Sequence, residues 1–200
     1  MNNIFFEKIE SGEEKAEIYS YQMKRYDLAM EHKFYFEAIA ICYAMIEDRL
    51  LAFLHYAGVI DRRINTQEIH VCKQAEKQIN QLLNKKPDYT ITLDTINCKI
   101  EIIKALLKLP IENDDQYLNL VRAQIDRTID REQIKTLLRD LKTWLKPRNQ
   151  ITHALMNKRT KSVLEHQSEV AEKGHDIGRK LDGFVSKLKK DNKVGIRIAE

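Results

Sequence analysis

Residues 34–58, with the sequence FYFEAIAICYAMIEDRLLAFLHYAG, decide the fold class of this 200-residue chain. Their apolar side chains recur every three or four residues, which is the period of an α-helix with one buried face. That face comprises Ile39, Tyr43, Ile46, Leu50, Phe53 and Ala57. Gly58 suits the left-handed cap that ends such a helix. Because this helix is the most apolar of the chain, we expect it to lie at the centre of a helical bundle.

The same period predicts helices on both sides of this segment. The further predicted helices cover about 13–30, 66–86, 93–109 and 162–190. Residues 118–129 and 134–145 also carry helical patterns, and Asp130 between them resembles a helix start. These two patterns fit either two helices or one long bent helix. Pro147 predicts a fresh helix or a kinked continuation after it.

Composition supports an all-α fold, because the chain has only six glycines and three prolines. We expect one helical domain over residues 1–200, with a core at about 13–157 and an additional long C-terminal helix at about 160–192. Gly174, Gly178 and Gly183 are expected to weaken that last helix. The chain has neither strand alternation nor a glycine-rich phosphate loop, which excludes the common nucleotide-binding α/β folds.

Targeting features point to the cytoplasm. No uninterrupted apolar run approaches the roughly 18 residues that a membrane span needs. The N-terminus shows no secretory signal, so we expect a cytoplasmic protein that does not cross a membrane. Cys42, Cys72 and Cys98 are far apart and odd in number, so they predict buried thiols rather than disulfides or a metal site.

Basic residues cluster late in the chain, although its net charge is only +4. Six bases and no acid lie between Leu141 and Lys161: Lys142, Lys146, Arg148, Lys158, Arg159 and Lys161. A solvated basic face is the simple explanation. However, the cluster brackets the segment Arg148-Asn149-Gln150-Ile151-Thr152-His153, which favours a bound polyanion.

This six-residue segment has the chemistry to cleave RNA. On a helix, Asn149 and His153 are four residues apart and share a face, so the amide can orient the imidazole. Arg148 lies about 7.5 Å from His153 along the axis. A permanent cation and a group that titrates near neutrality are the minimum set for cleaving RNA through its own 2′-hydroxyl. The histidines are scattered without ligand spacing, so no metal or other cofactor is expected.

Arg148 followed by Asn149 and then His153 resembles the R-x4-6-H motif of HEPN domains. The resemblance covers about 13–157 and includes Glu47 in an early apolar helix and Trp144-Leu145 before the motif. It implies a HEPN-like helical bundle that forms a homodimer, with two motifs facing one composite groove. Many members are metal-independent endoribonucleases of toxin–antitoxin, phage-defence or CRISPR-linked systems, whereas others have lost catalysis and only bind.

The resemblance and the residues together predict a ribonuclease. Arg148, His153 and Asn149 are the expected catalytic residues. Lys146, Lys158, Arg159 and Lys161 are the expected contacts to the RNA backbone. Glu47 is expected to support the site through Arg148 or His153, or else to form a solvent-facing pair with Arg49 or a lysine. The expected partners are RNA, a second copy of the chain, and an antitoxin or sensor protein. The alternative is a catalytically inactive module that binds RNA or protein.

Overall fold

A computed structural model describes residues 12–61, 70–71, 73–110, 116–157 and 165–191 of the chain. Within these ranges the chain is helical apart from the segments that connect the helices and one short antiparallel pair, β1 (Ile60–Asp61) with β2 (His70–Val71). The helices are α1 (Gly12–Glu31), α2 (Tyr35–Tyr56), α3 (Lys73–Leu82), α4 (Ile96–Leu106), α5 (Gln116–Thr128), α6 (Arg131–Asn157) and α7 (Gln167–Lys190). The all-α class is therefore confirmed.

Helix α2 lies at the centre of the bundle, as its apolar sequence predicts. It contacts α1, α4, α6 and α7, and its most extensive contact is with α7. Ile46, Leu50, Phe53 and Leu54 are completely buried. Burying such a side chain stabilises the fold by about 1.5–3 kcal/mol relative to leaving it exposed. The C-terminal helix belongs to the same core, because Ala171, Ile177, Leu181 and Leu188 join the buried cluster.

The end of α2 follows the expected cap. Gly58 has a positive φ of 83°. The Gly58 amide donates to the His55 carbonyl, and the Val59 amide donates to the Leu54 carbonyl, both at 2.9 Å. These bonds satisfy carbonyls that the helix itself leaves without a partner. Gly58 thus turns the chain from α2 into β1.

The third predicted helix, 66–86, is wrong at both ends. His70 and Val71 pair with Asp61 and Ile60, so residues assigned to the helix form a short ladder instead. Residues 62–69 and 72 lie outside the described ranges. At the other end, Asn84 adopts a positive φ of 55°, which ends the helix before Lys86. Asparagine tolerates this conformation better than most residues.

Helix α4 is also shorter than the predicted 93–109. The Thr95 hydroxyl accepts a hydrogen bond from the Cys98 amide at 3.2 Å, which fixes the start of the helix at Ile96. The helix ends at Leu106, three residues before the predicted end at residue 109. The helix therefore starts at the residue after the Thr95 cap, although the apolar pattern begins at Leu93, two residues before that cap.

The structure resolves the alternatives around Asp130 and Pro147. The Asp130 carboxylate accepts hydrogen bonds from the Glu132 amide at 2.9 Å and the Gln133 amide at 3.2 Å. It therefore caps α6, and the two patterns form two helices. Pro147 lies inside α6 without ending it, so the Arg148–His153 segment continues one long helix.

Helices α6 and α7 approach closely at Gly174. A Cβ atom built on Gly174 would lie 2.7 Å from Cζ2 of Trp144. The Trp144 indole is buried, and its Nε1 donates to the Val170 carbonyl at 2.7 Å. Gly174 therefore makes room for the indole, although the sequence predicts only a weakened helix there. Because Trp144 lies one turn before Arg148, this contact also positions the motif.

The cysteines follow the prediction in part. Cys42 is buried, and burial raises the pKa of its thiol to about 12. Cys98 is half-buried at the start of α4, and Cys72 lies outside the described ranges. No helix within those ranges has the length and apolar character needed to cross a bilayer.

Candidate functional site

The Arg148–His153 segment lies within the last three turns of α6. Ile151 and Ala154 are each 3 % exposed and face the core, which anchors this end of the helix. The Thr152 hydroxyl donates to the Arg148 carbonyl at 3.0 Å, as expected within a regular helix. The polar residues of the motif therefore lie on a well-packed helix rather than on a loop.

Arg148 is half-buried and packs against Tyr43 of α2. Its Cζ atom is 3.8 Å from the centroid of the Tyr43 ring, which is cation–π geometry. One terminal nitrogen donates to the Asn149 side-chain oxygen at 3.0 Å. The Nε atom is buried and has no hydrogen-bond partner among the described residues. No carboxylate in that part of the chain pairs with this guanidinium, so its charge is held in place without being neutralised.

The His153 side chain is exposed and forms no hydrogen bond or ion pair with any residue in the described ranges. His153 lies five positions after Arg148 in the helix, which corresponds to about 140° around the axis and about 7.5 Å along it. The two side chains therefore face different sides of α6. Asn149 shares a face with His153, but its side-chain oxygen is bonded to Arg148. The structure thus brings Arg148 and Asn149 together and leaves the imidazole apart.

Glu47 is engaged by a lysine that the sequence analysis did not single out. Its Oε1 accepts from Lys99 Nζ at 2.8 Å, and Lys99, on α4, is only 5 % exposed. Arg49 instead pairs with Asp48 at 2.6 Å and with Asp182 at 2.9 Å. The partner is therefore a lysine, but a buried one rather than the solvent-facing one expected, and it is not Arg49, Arg148 or His153.

The sequence did not reveal the contact of Tyr43 with Arg148 or the pairing of Lys99 with Glu47. Tyr43 was assigned to the apolar face of α2, and its position one turn before Glu47 is the feature that links the two contacts. Lys99 interrupts an isoleucine-rich helix, which indicates a buried partner. The Arg148–Tyr43 stack and the Lys99–Glu47 pair therefore lie side by side along α2.

Of the four residues expected to contact RNA, the structure describes one. Lys146 is exposed on α6. Lys158, Arg159 and Lys161 lie outside the described residues. Among the residues that are described, no group of three or more His, Cys, Asp or Glu side chains forms a candidate metal site.

A groove of about 440 Å³ lies elsewhere, between α1 and α2. Its ends carry the ion pairs Lys15–Asp48 and Arg25–Glu37. No residue of the Arg148–His153 segment lines it. The walls of this groove are largely aliphatic or already paired, so the groove offers no free reactive group, and the candidate site is the Arg148–His153 segment.

In comparisons with known proteins, the chain matches no family model, no curated protein and no solved structure.

Proposed function

We propose that this protein is a metal-independent endoribonuclease of a toxin or phage-defence system, acting at a composite site between two copies of the chain. The observation that carries the proposal is the state of the two motif side chains. Arg148 is a fixed cation without a carboxylate partner in the described ranges, and His153 is an exposed imidazole. These are the groups that metal-free cleavage of RNA requires.

A second copy is needed because of the helical geometry. Arg148 and His153 of one chain are about 140° apart around the helix axis, so they do not both contact one phosphate on the same side of α6. A two-fold axis near the end of α6 would place Arg148 of one copy opposite His153 of the other. Each copy would then contribute its exposed imidazole to a phosphate held by the other copy's guanidinium.

The chemistry is a transesterification. His153 takes the proton from the 2′-hydroxyl as O2′ attacks phosphorus, and the same imidazole, now protonated, gives that proton to O5′ as the P–O5′ bond breaks. Arg148 stabilises the extra negative charge on the pentacovalent phosphorane. The products are a 2′,3′-cyclic phosphate and a free 5′-hydroxyl.

The test is cleavage of a single-stranded RNA in the presence of a chelator, with analysis of the product ends. His153→Ala should lower the rate at least about 100-fold, because it removes general acid–base catalysis. Arg148→Gln should lower it by about 100- to 1,000-fold. His166→Ala, which removes an exposed histidine at the start of α7, is the matched control and should cleave like the parent. A parent protein without cyclic phosphate product would refute the proposal.

One observation favours a second candidate, a non-catalytic module that binds RNA or protein. Arg148 is already occupied by Tyr43 and Asn149 and faces away from His153. Such a module would bind RNA without cutting it, and His153→Ala would leave its affinity unchanged. The same cleavage assay, with binding measured in parallel, distinguishes the two candidates.

A further inference from the structure

One exposed face of α6 carries a row of polar side chains that is mostly cationic. The row consists of Lys135, Arg139, Lys142, Lys146, Asn149 and His153, all of them exposed. Successive members alternate between four and three residues apart, so they fall on one face of the helix. From its first to its last member the row extends about 27 Å along the axis. We call this row the α6 track.

Carboxylates are scarce along the α6 track. Between Lys135 and His153 the chain contains one acid, Asp140, which is half-buried and lies outside the spacing of the row. The exposed surface of α7 is different, because it mixes both signs; Lys180 and Asp176, for example, pair at 2.7 Å. A helix surface that only needs to be solvated is expected to mix signs as α7 does. The excess of positive charge on this face of α6 therefore has another cause.

The cations of the track are available to a ligand. Arg139 and Lys146 form no ion pair with any residue that the structure describes. Lys135 pairs with Glu132 at 2.7 Å, but the two side chains are 48 % and 80 % exposed. Exposed pairs of this kind add little stability, so a phosphate can replace the carboxylate.

A neighbouring lysine adds charge beside the track. Glu101 on α4 accepts from Lys142 at 2.5 Å and from Lys104 at 3.4 Å. Burial alone would raise the pKa of this carboxyl, but the two lysines hold it below its ordinary value. Glu101 therefore stays ionised and neutralises one lysine of the two. The junction of α4 and α6 keeps one net positive charge.

We infer that the α6 track binds the phosphate backbone of single-stranded RNA and leads the strand to His153. The inference rests on the proposed function for its choice of ligand, and it adds the residues that hold the substrate before the cleavage site. Lys135, Arg139 and Lys142 were not among the RNA contacts expected from the sequence. Together with Lys146 they provide four cations in a line.

An extended strand fits this arrangement better than a duplex or an acidic protein. The cations follow one straight helix at intervals of about 4.5–6 Å along its axis, which suits one contact per nucleotide of an extended backbone. The flexible strand also lets its 2′-hydroxyl align for attack at the end of the track. An acidic protein would have to present carboxylates in the same straight row.

The test is the salt dependence of binding to a labelled 2′-O-methyl RNA of about twelve nucleotides, a length within the range that single-strand binders cover. This RNA has no 2′-hydroxyl and cannot be cut, so binding is measured independently of catalysis. For single strands, each phosphate contact contributes about −0.7 to the slope of log affinity against log salt. The double variant Arg139→Gln/Lys146→Gln should therefore make the slope less steep by about 1.4.

The matched control is Lys173→Gln/Arg179→Gln, which removes one exposed lysine and one exposed arginine from α7. An unchanged slope for this control supports a localised track. Equal loss of slope in both double variants overturns the inference, because net charge would then be the cause. Equal affinity for polyglutamate, or tighter binding of a duplex of the same length, overturns the assignment to single-stranded RNA. If the α6 track binds the 2′-O-methyl RNA but the protein does not cleave ordinary RNA, the proposed function is refuted while the inference of RNA binding by the track stands.

Discussion

Gly174→Ala is expected to destabilise the protein although alanine is the better helix former. The added methyl group would lie 2.7 Å from Cζ2 and 2.9 Å from Cε2 of Trp144, and 3.1 Å from Cβ of Cys42. Ordinary carbon contacts are about 3.5–4.0 Å, so neighbouring atoms must move. The indole cannot retreat easily, because it is 1 % exposed and bonded to the Val170 carbonyl.

The expected magnitude follows from two opposing effects. Overpacking a filled core costs about 1–3 kcal/mol, and the rigid indole favours the upper end of that range. Replacing glycine by alanine within a helix contributes about 1 kcal/mol in the other direction. The free energy of unfolding should therefore fall by about 2 kcal/mol. In a chain of this length such a loss lowers Tm by about 4–8 °C.

Gly183→Ala is the matched control on the same helix. Nothing lies within 4 Å of a Cβ atom at this position, so the helix propensity acts alone. Gly183→Ala should raise Tm by about 2–4 °C, which is the opposite sign. Thermal unfolding followed by circular dichroism measures Tm for both variants, and urea unfolding measures the free energy. If Gly174→Ala proved as stable as the parent protein, the close packing of α6 on α7 would be wrong.

Three further predictions follow from the contacts around the motif and along α7. Lys99→Met should lower the free energy of unfolding by about 2 kcal/mol because it leaves Glu47 without its partner, and Lys99→Met/Glu47→Gln should recover most of this loss in urea titrations. Tyr43→Ala should slow RNA cleavage about five-fold by releasing the Arg148 guanidinium, whereas Tyr43→Phe keeps the ring and should cleave at the parent rate; equal rates for both variants would exclude a positioning role. His175 stacks on Tyr26 with ring centroids 4.7 Å apart, and burial together with the nearby charge of Arg179 lowers its pKa. The unfolded chain therefore binds a proton at His175 more readily than the folded chain, so the free energy of unfolding should be constant above about pH 6.5 and fall as the pH drops below it. His175→Phe should make this fall smaller, which unfolding experiments at about pH 7.5 and 5.5 would measure.

Local features of the sequence were sufficient to place most helices. The three- and four-residue spacing from Ile39 to Ala57 identified the central helix, since a core-facing stripe depends only on neighbouring residues. Gly58 and Asp130 marked helix ends for equally local reasons, a positive φ at the first and a capping carboxylate at the second. Periodicity failed at His70 because a contact from outside the segment, the pairing with Asp61, intervened, and it failed before Ile96 because it does not register the local cap at Thr95.

The surroundings of the motif could not be read from spacing alone. Arg148 and Tyr43 belong to different helices, and Lys99 is separated from Glu47 by 52 residues. Such contacts depend on how the helices pack. The role of Gly174 was missed for the same reason, because its partner Trp144 lies on another helix. Helix periodicity did, however, predict correctly that Asn149 and His153 share a face.

The most direct test of the composite site is the activity of a heterodimer made from Arg148→Gln and His153→Ala chains. The two chains carry different affinity tags, are expressed together and are purified through both tags. If Arg148 of one copy acts with His153 of the other, one of the two sites stays intact. The heterodimer should then recover about half of the parent activity, while each variant homodimer stays nearly inactive. A heterodimer as inactive as either homodimer would contradict the account.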